Sequence, residues 1–355
     1  MKILDKYIAR QINTFILIVA LAFWGFDIFF NLVHELQVVG KGQYTLGVAL
    51  QYLSLITPSR LYTLFPWAAL IGTLISLGAL ANHSELVVMR TSSVSVARIT
   101  WSVLKAALIL LIVVVFLGEG VAPLTERVAQ HIRTLALSDG QSIQTAYGIW
   151  VRQGQEFIHV QSTRSDGELL GVTRYQFDDK RKLKEVMFAK RADPVKEGWQ
   201  LYDVQGTIFL DKKTWVFKEA VKRVHQLVEP QILETAMVKH PERLSLLALW
   251  GGIQYRVKNG LSSQQYELAL YTKLFQPLVI LMMVFLAVPF VFGPLRSVSM
   301  GFRIVVGIFV AFLFNTLNSL FAPLAIVYQF PPLLAVLLPI IVFTGVGIFI
   351  LRRAK

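Results

Sequence analysis

Six apolar runs, each about as long as a membrane-crossing helix, constrain this chain more than anything else in it. They lie at roughly 12–34, 61–81, 99–121, 268–292, 304–323 and 331–351. A hydrocarbon core about 30 Å thick takes roughly 20 helical residues to cross. A helix also satisfies its own backbone polar groups where no water can. The pattern predicts a polytopic α-helical membrane protein with six transmembrane helices. The chain is 55% hydrophobic with mean hydropathy +0.56, values a soluble domain rarely reaches. The first run is too long for a secretory leader, and no small-residue cleavage site follows it.

Residues 122–265 interrupt the apolar series with ordinary soluble composition. The chain therefore divides into a helical half (1–121), an extramembrane domain (122–265) and a second helical half (266–355), three helices on each side. The domain reads as all-β. GIWVRQGQEFIHVQS alternates around Ile149, Val151, Phe157, Ile158 and Val160, and LLGVTRYQF, LKEVMFAKR, WQLYDV and TIFL suggest further strands. Asp166-Gly167, Asp178-Asp179, Pro194, Gly198 and Gly206 read as breaks between them. Short strands at this spacing suggest a sandwich or jellyroll. Residues 40–56 read as a turn and an interfacial helix, with Pro58 marking the turn into the second span.

Lysine and arginine in short loops set orientation. Lys2, Lys6, Arg10, Arg90, Arg98, Arg296, Arg303, Arg352, Arg353 and Lys355 fall on one side, and only Lys41 and Arg60 on the other. Both termini are therefore expected in the cytoplasm and the β domain outside, in the periplasm of a double-membrane bacterium. The net charge of +13 includes only a modest excess from 122–265, which has 21 Lys/Arg against 16 Asp/Glu. The remainder is an anchoring pattern and needs no nucleic acid to explain it.

Strong catalytic motifs are missing. No G-x-x-x-x-G-K-[ST] occurs, so the chain carries no Walker A nucleotide site. His34-Glu35 begins an H-E-x-x-H, but position 38 is Val. The six histidines have no ligand spacing, and with no cysteine there is neither a disulfide nor a thiolate metal site. Ser102 and Lys105 form S-x-x-K, the single handle for a membrane-embedded hydrolase. The plainer reading is that Lys105 snorkels to the headgroups. A secondary transporter would need an inverted repeat or broken helices, which the sequence does not suggest.

Polar residues inside apolar spans are expensive, so their placement is informative. Asp27, Asn31 and His34 form one helical stripe that must face a cavity, a substrate or a neighbouring helix. Asn315 and Asn318 form a smaller stripe suited to helix–helix hydrogen bonds. Between the second and third spans, SELVVMR (84–90) reads as a short helix at about 84–93. Ser84 can cap it, Glu85 sits in its first turn, and Leu86 to Met89 give it an apolar surface.

LDKYIARQ (4–11), GKGQY (40–44), SELVVMR (84–90), GEGVAP (118–123), YQFDDKRKLKEV (175–186), KLFQPL (273–278) and GPLRSVSMG (293–301) together resemble the LptF/LptG family, the permease subunits of the bacterial lipopolysaccharide exporter. The likeness runs nearly end to end. GKGQY and GPLRSVSMG favour its LptG branch over LptF, which stays the alternative. The resemblance implies a non-catalytic permease without a cofactor, paired with LptF and driven by two copies of the LptB ATPase. LptC would add a single-span helix, and lipopolysaccharide would leave the inner membrane for the periplasmic bridge protein LptA. The resemblance also implies that 84–93 is a coupling helix contacting the ATPase through Glu85, Leu86, Met89 and Arg90. Lipopolysaccharide contacts are expected from Lys41, Arg133, Asp27, Asn31 and His34. Arg133 matches a basic family position, whereas Asn31 stands where some relatives carry lysine.

Overall fold

The computed structural model describes residues 3–137, 143–164, 167–195, 198–210, 213–225, 227, 241–294 and 298–353. Lys2, Asp166, Arg296 and Lys355, used above, lie outside them. Among the described residues, six helices are long and apolar enough to cross a membrane. The first is α1 (Ile3–Leu36) and the second α2 (Leu46–Asn82). The third joins α4 (Val96–Phe116), a π turn (Leu117–Val121) and α5 (Ala122–Leu137). After the sheet come α7 (Gln264–Phe292), α8 (Met300–Val327) and α9 (Pro332–Arg353). Two short helices, α3 (Glu85–Thr91) and α6 (Leu246–Lys258), complete the set.

The spans are longer than their apolar runs. The expected interfacial helix before Pro58 is instead the first part of α2, one helix of 37 residues that runs through Pro58 and Pro66. A proline removes one ladder hydrogen bond. Packing of both stretches against α1, α5 and α7 holds the axis together regardless. Hydroxyl caps mark four starts: Thr45, Ser95, Ser245 and Ser299 each accept from a backbone N–H three residues on.

Alternating chain direction gathers both termini and α3 on one face, here the termini face. The α1–α2 turn and the β domain lie on the opposite, sheet face. Across the termini half runs one apolar core, in which Leu70, Leu74 and Leu77 of α2, Ile99 and Val103 of α4 and Ile280 and Val284 of α7 are buried together. Arg303 of α8 is fully buried beside it. Its Nη1 donates to the carbonyl of Gly78 (3.0 Å) and to Asn82 Oδ1 (3.1 Å), so it closes the C-terminal end of α2. A Cβ at Gly78 would lie 2.7 Å from that nitrogen, so only glycine leaves the guanidinium its place.

Among its described residues the β domain holds six antiparallel strands: β1 (Ile143–Gln153), β2 (Glu156–Thr163), β3 (Leu169–Phe177), β4 (Leu183–Val195), β5 (Gly198–Leu210) and β6 (Lys213–Val224). They pair strictly in sequence order as one open sheet. A jellyroll needs Greek-key crossovers. The described strands make none, so the jellyroll is not established. Gly206, expected as a break, lies inside β5 because the Phe217 ring of β6 fills the space its side chain would take. One face buries Val151, Ile158, Val160, Val172, Ala189, Leu201 and Val204. Helix α6 clasps the β1–β2 hairpin: Tyr255 donates to the Arg152 carbonyl (2.6 Å), and Asn259 Oδ1 accepts from Gly154 N–H (2.9 Å). Burial pushes the Tyr255 phenol up, which keeps this donor protonated.

Candidate functional site: two polar clusters at opposite ends of the bundle

On the termini face, α3 follows Ser84, whose backbone is left-handed (φ 59°) and whose hydroxyl makes no cap bond. The expected Ser84 cap is therefore not formed. An N-cap needs extended backbone to aim its side chain at the first turn, and here the tight reversal after α2 takes precedence. Glu85 is half-buried, and Tyr7 of α1 donates to its Oε2 at 2.8 Å. Leu86 and Met89 are buried in the protein's own core and form the inner face of α3. The outward face carries Val87 (47% exposed), Val88 (62% exposed) and Arg90. Of the four residues expected to meet a partner, Arg90 points outward, Glu85 is reachable, and Leu86 and Met89 anchor the helix from beneath.

Next to α3 is a cluster that sequence reading missed. Asp5 of α1 is buried, accepts from Ser102 Oγ at 2.7 Å and faces Arg98 Nη2 at 3.5 Å. Ser102 is thus bonded to Asp5, while the Lys105 ammonium sits over the Trp101 ring, 5.5 Å from its centroid. No Ser–Lys pair forms, and the hydrolase handle disappears. An acidic residue two positions before Tyr7, facing S-x-x-K across two helices, gave no local signal of this contact.

At the sheet face, Arg133 is not a free cation. Its Nε donates to Glu35 Oε2 at 3.2 Å, and Tyr44 donates to the same oxygen at 2.8 Å. Its guanidinium also sits over Tyr52 (5.4 Å). Burial, and then the hydrogen bond to Glu35, pushes the Tyr44 phenol well above its usual range, so it stays a donor. The loop to α2 is stapled to the same helix end, with Gln43 N–H donating to the Ala136 carbonyl at 2.8 Å. A Cβ at Gly42 (φ +55°) would meet that carbonyl at 2.8 Å. Lys41 is exposed on this loop, near Arg133 in the chain fold but solvated.

The Asp27–Asn31–His34 stripe divides. Asn31 Nδ2 donates to the Asp27 carbonyl (2.7 Å), and Arg60 Nη2 of α2 donates to Asn31 Oδ1 (3.1 Å). Arg60 also lies 3.8 Å from the Asp27 carboxylate. Two members therefore bind helix to helix, and His34 is exposed. Asn315 of α8 is exposed and Asn318 half-buried.

Beside Arg60 opens a cavity of about 330 Å³ between α2, α5, α7 and the 3₁₀ turn Pro241–Arg243. Tyr62, Glu126, Arg243 and Lys273 reach it. Two ion pairs cross near it: Lys273–Glu119 at 3.4 Å and Arg243–Glu126 at 3.2 Å. Glu119 and Lys273 are ionisable residues in or beside apolar runs, a signal for function that the sequence reading used only as part of a resemblance. Among the described residues, no group of three or more His, Asp or Glu could hold a metal ion.

The comparisons agree with this layout. Over 354 residues the chain is 34% identical to the lipopolysaccharide export system permease protein LptG of Escherichia coli K12, covering 99% of this chain and 98% of that protein. The LptG of E. coli O6:H1 matches equally, and that of Haemophilus influenzae is 31% identical with 99% of both chains covered. The family described as lipopolysaccharide export system permease LptF/LptG matches residues 6–353. A match of that extent, on six long helices with a β domain inserted after the third, places this chain in the LptF/LptG family of lipopolysaccharide export permeases.

Proposed function

We propose that this chain is the LptG-type subunit of an inner-membrane lipopolysaccharide exporter, with both termini cytoplasmic and the β domain (within 122–265) periplasmic. It pairs with LptF, the LptB ATPase dimer powers it from the termini face, and LptC and LptA stand on the export side. The chain supplies half of the membrane path and no hydrolysis of its own. The observation that carries this reading is the full-length likeness to LptG proteins, joined to an α3 whose outer face is exposed beside the charged termini. In this reading Val87, Val88 and Arg90 meet the ATPase, Leu86 and Met89 hold α3 rigid, and Glu85 is the reachable carboxylate that pairs across the interface. Lys41 offers a solvated cation to lipid phosphate. Arg133, Asp27 and Asn31 shape that mouth from within their own contacts, and His34 faces outward beside it.

The test is an assembled exporter in nanodiscs, scored for lipopolysaccharide release and for ATP hydrolysis. Glu85→Ala and Val88→Asp should each leave the permease pair intact, cut lipopolysaccharide-dependent ATP hydrolysis at least several-fold, and stop release. Normal release from both variants would remove α3 from the coupling path.

A further inference from the structure

Glu119 and Glu126 lie seven residues apart on the third membrane helix, and each meets a cation that follows the sheet in the chain. Glu119 Oε1 is 3.4 Å from Lys273 Nζ of α7, and Glu126 Oε1 is 3.2 Å from Arg243 Nη1 of the 3₁₀ turn before α6. Both cations line the 330 Å³ cavity that separates α2 and α5 from α7. The carboxylate side chains are only 18% and 10% exposed. We propose that these two pairs are an electrostatic latch that closes the sheet-face end of the two helical halves over the cavity and opens during the protein's working cycle.

Three features separate a latch from a permanent bolt. The first is its incomplete bonding: both Glu119 oxygens are buried without a formed hydrogen bond, whereas Glu126 also accepts from Gln130 Nε2 (3.1 Å). A carboxylate without a directed bond is open to capture by another donor when its cation leaves, and Tyr62 of α2 reaches the same cavity. The second is a hinge at the same place. Glu119 sits in the π turn, where Ala122 N–H bonds back to Leu117 and the regular ladder is already interrupted. Glycines 118 and 120 flank it, and a Cβ at Gly118 would strike the Tyr62 ring at 2.3 Å. The third is a fulcrum. Below the cavity, α2, α4 and α7 share the continuous apolar core, so separation is confined to the sheet-face end. Arg243 stands three residues before α6, which clasps the β1–β2 hairpin, so movement of the β domain reaches the second pair through α6. Water or an anion in the cavity reaches the open side of both cations and can take the place of the carboxylates.

This chain has no cysteine, so two introduced thiols are its only labelling sites, and the partner subunits are used in cysteine-free form. Spin labels at Val128 of α5 and Leu274 of α7, both exposed, flank the latch without filling the cavity. Their distance is measured by double electron–electron resonance in the complete exporter complex in nanodiscs. The parent should show a short component that dominates without nucleotide and a longer one that gains several-fold in population when ATP is trapped. Glu119→Gln with Glu126→Gln should populate the longer component without nucleotide. Glu119→Lys alone should do the same, and adding Lys273→Glu should restore the short distance. The charge swap also decides the matter if the neutralised double variant fails to assemble. A single distance in all nucleotide states, or a swap no shorter than the single reversal, overturns the latch. Lipid release is scored separately, so the transport reading and the latch can each fail alone.

Discussion

Single residues here are legible mainly through their partners. Arg133 looks on sequence like a cation free to grip phosphate, but the structure spends it on Glu35, which is 4% exposed and also takes the Tyr44 hydroxyl. Removing one member of a buried pair strands the other's charge, typically at a cost of about 3–5 kcal/mol. Arg133 is about a quarter exposed, so a value near 2 kcal/mol is expected for Arg133→Ala. Melting of the purified complex should show that loss, and Glu35→Gln added to Arg133→Ala should recover part of it. A variant that lowers lipid binding without touching the melt would return Arg133 to the lipid path. Arg303 makes a parallel case at the termini face. Gly78→Ala would push the guanidinium off its carbonyl and leave a buried charge short of acceptors. A loss of roughly 1–3 kcal/mol is expected, with less salt sensitivity than a surface pair would show.

At the scale of elements, sequence fixed the number of spans and missed their extents. Hydropathy sees lipid-facing length, whereas helices such as α2 and α5 continue past the lipid because other helices cover them. Pro58 and Gly206 were expected as breaks by residue type, but packing overrides propensity at both: α2 is braced along its length, and Phe217 fills the notch at Gly206. β6 went unread because its charged residues hide the alternation, as suits an exposed edge strand. The Glu35–Arg133 and Glu119–Lys273 pairs went unread because they join positions 98 and 154 residues apart. Helical phase makes the π turn testable. Deleting Gly120 would take out the extra residue of the π turn and restore an unbroken α ladder, leaving Arg133 and Glu126 in phase with Glu35 and Arg243 while removing the give in the helix. The deletion should therefore keep the melting temperature and slow lipid release, while Pro58→Ala, which restores one ladder bond inside a braced helix, should leave the melting temperature equal or higher.

Across the whole molecule, burial is uneven in a way that points outward. The apolar windows of α2 and α7 are 72% and 56% buried within the chain, those of α1 and α8 only 11% and 17%. Lipid can cover apolar helices at no cost, so exposure alone implies no partner. Asn315 changes the argument. It lies on α8 well inside the span, exposed, where an amide without an acceptor is costly. Another helix at that face would satisfy it, and the second permease of the proposed pair would have such a helix to offer. Interhelical polar contacts in membranes contribute roughly 0.6–1.7 kcal/mol, or about 3- to 20-fold in association. Asn315→Leu removes the amide and keeps the volume and the helix. It should insert normally, keep its own melt, and lose partner permease by that factor when the pair is titrated apart in detergent. If the pair holds with unchanged affinity, α8 faces lipid at Asn315, and the contact between permeases must be sought along α1 instead.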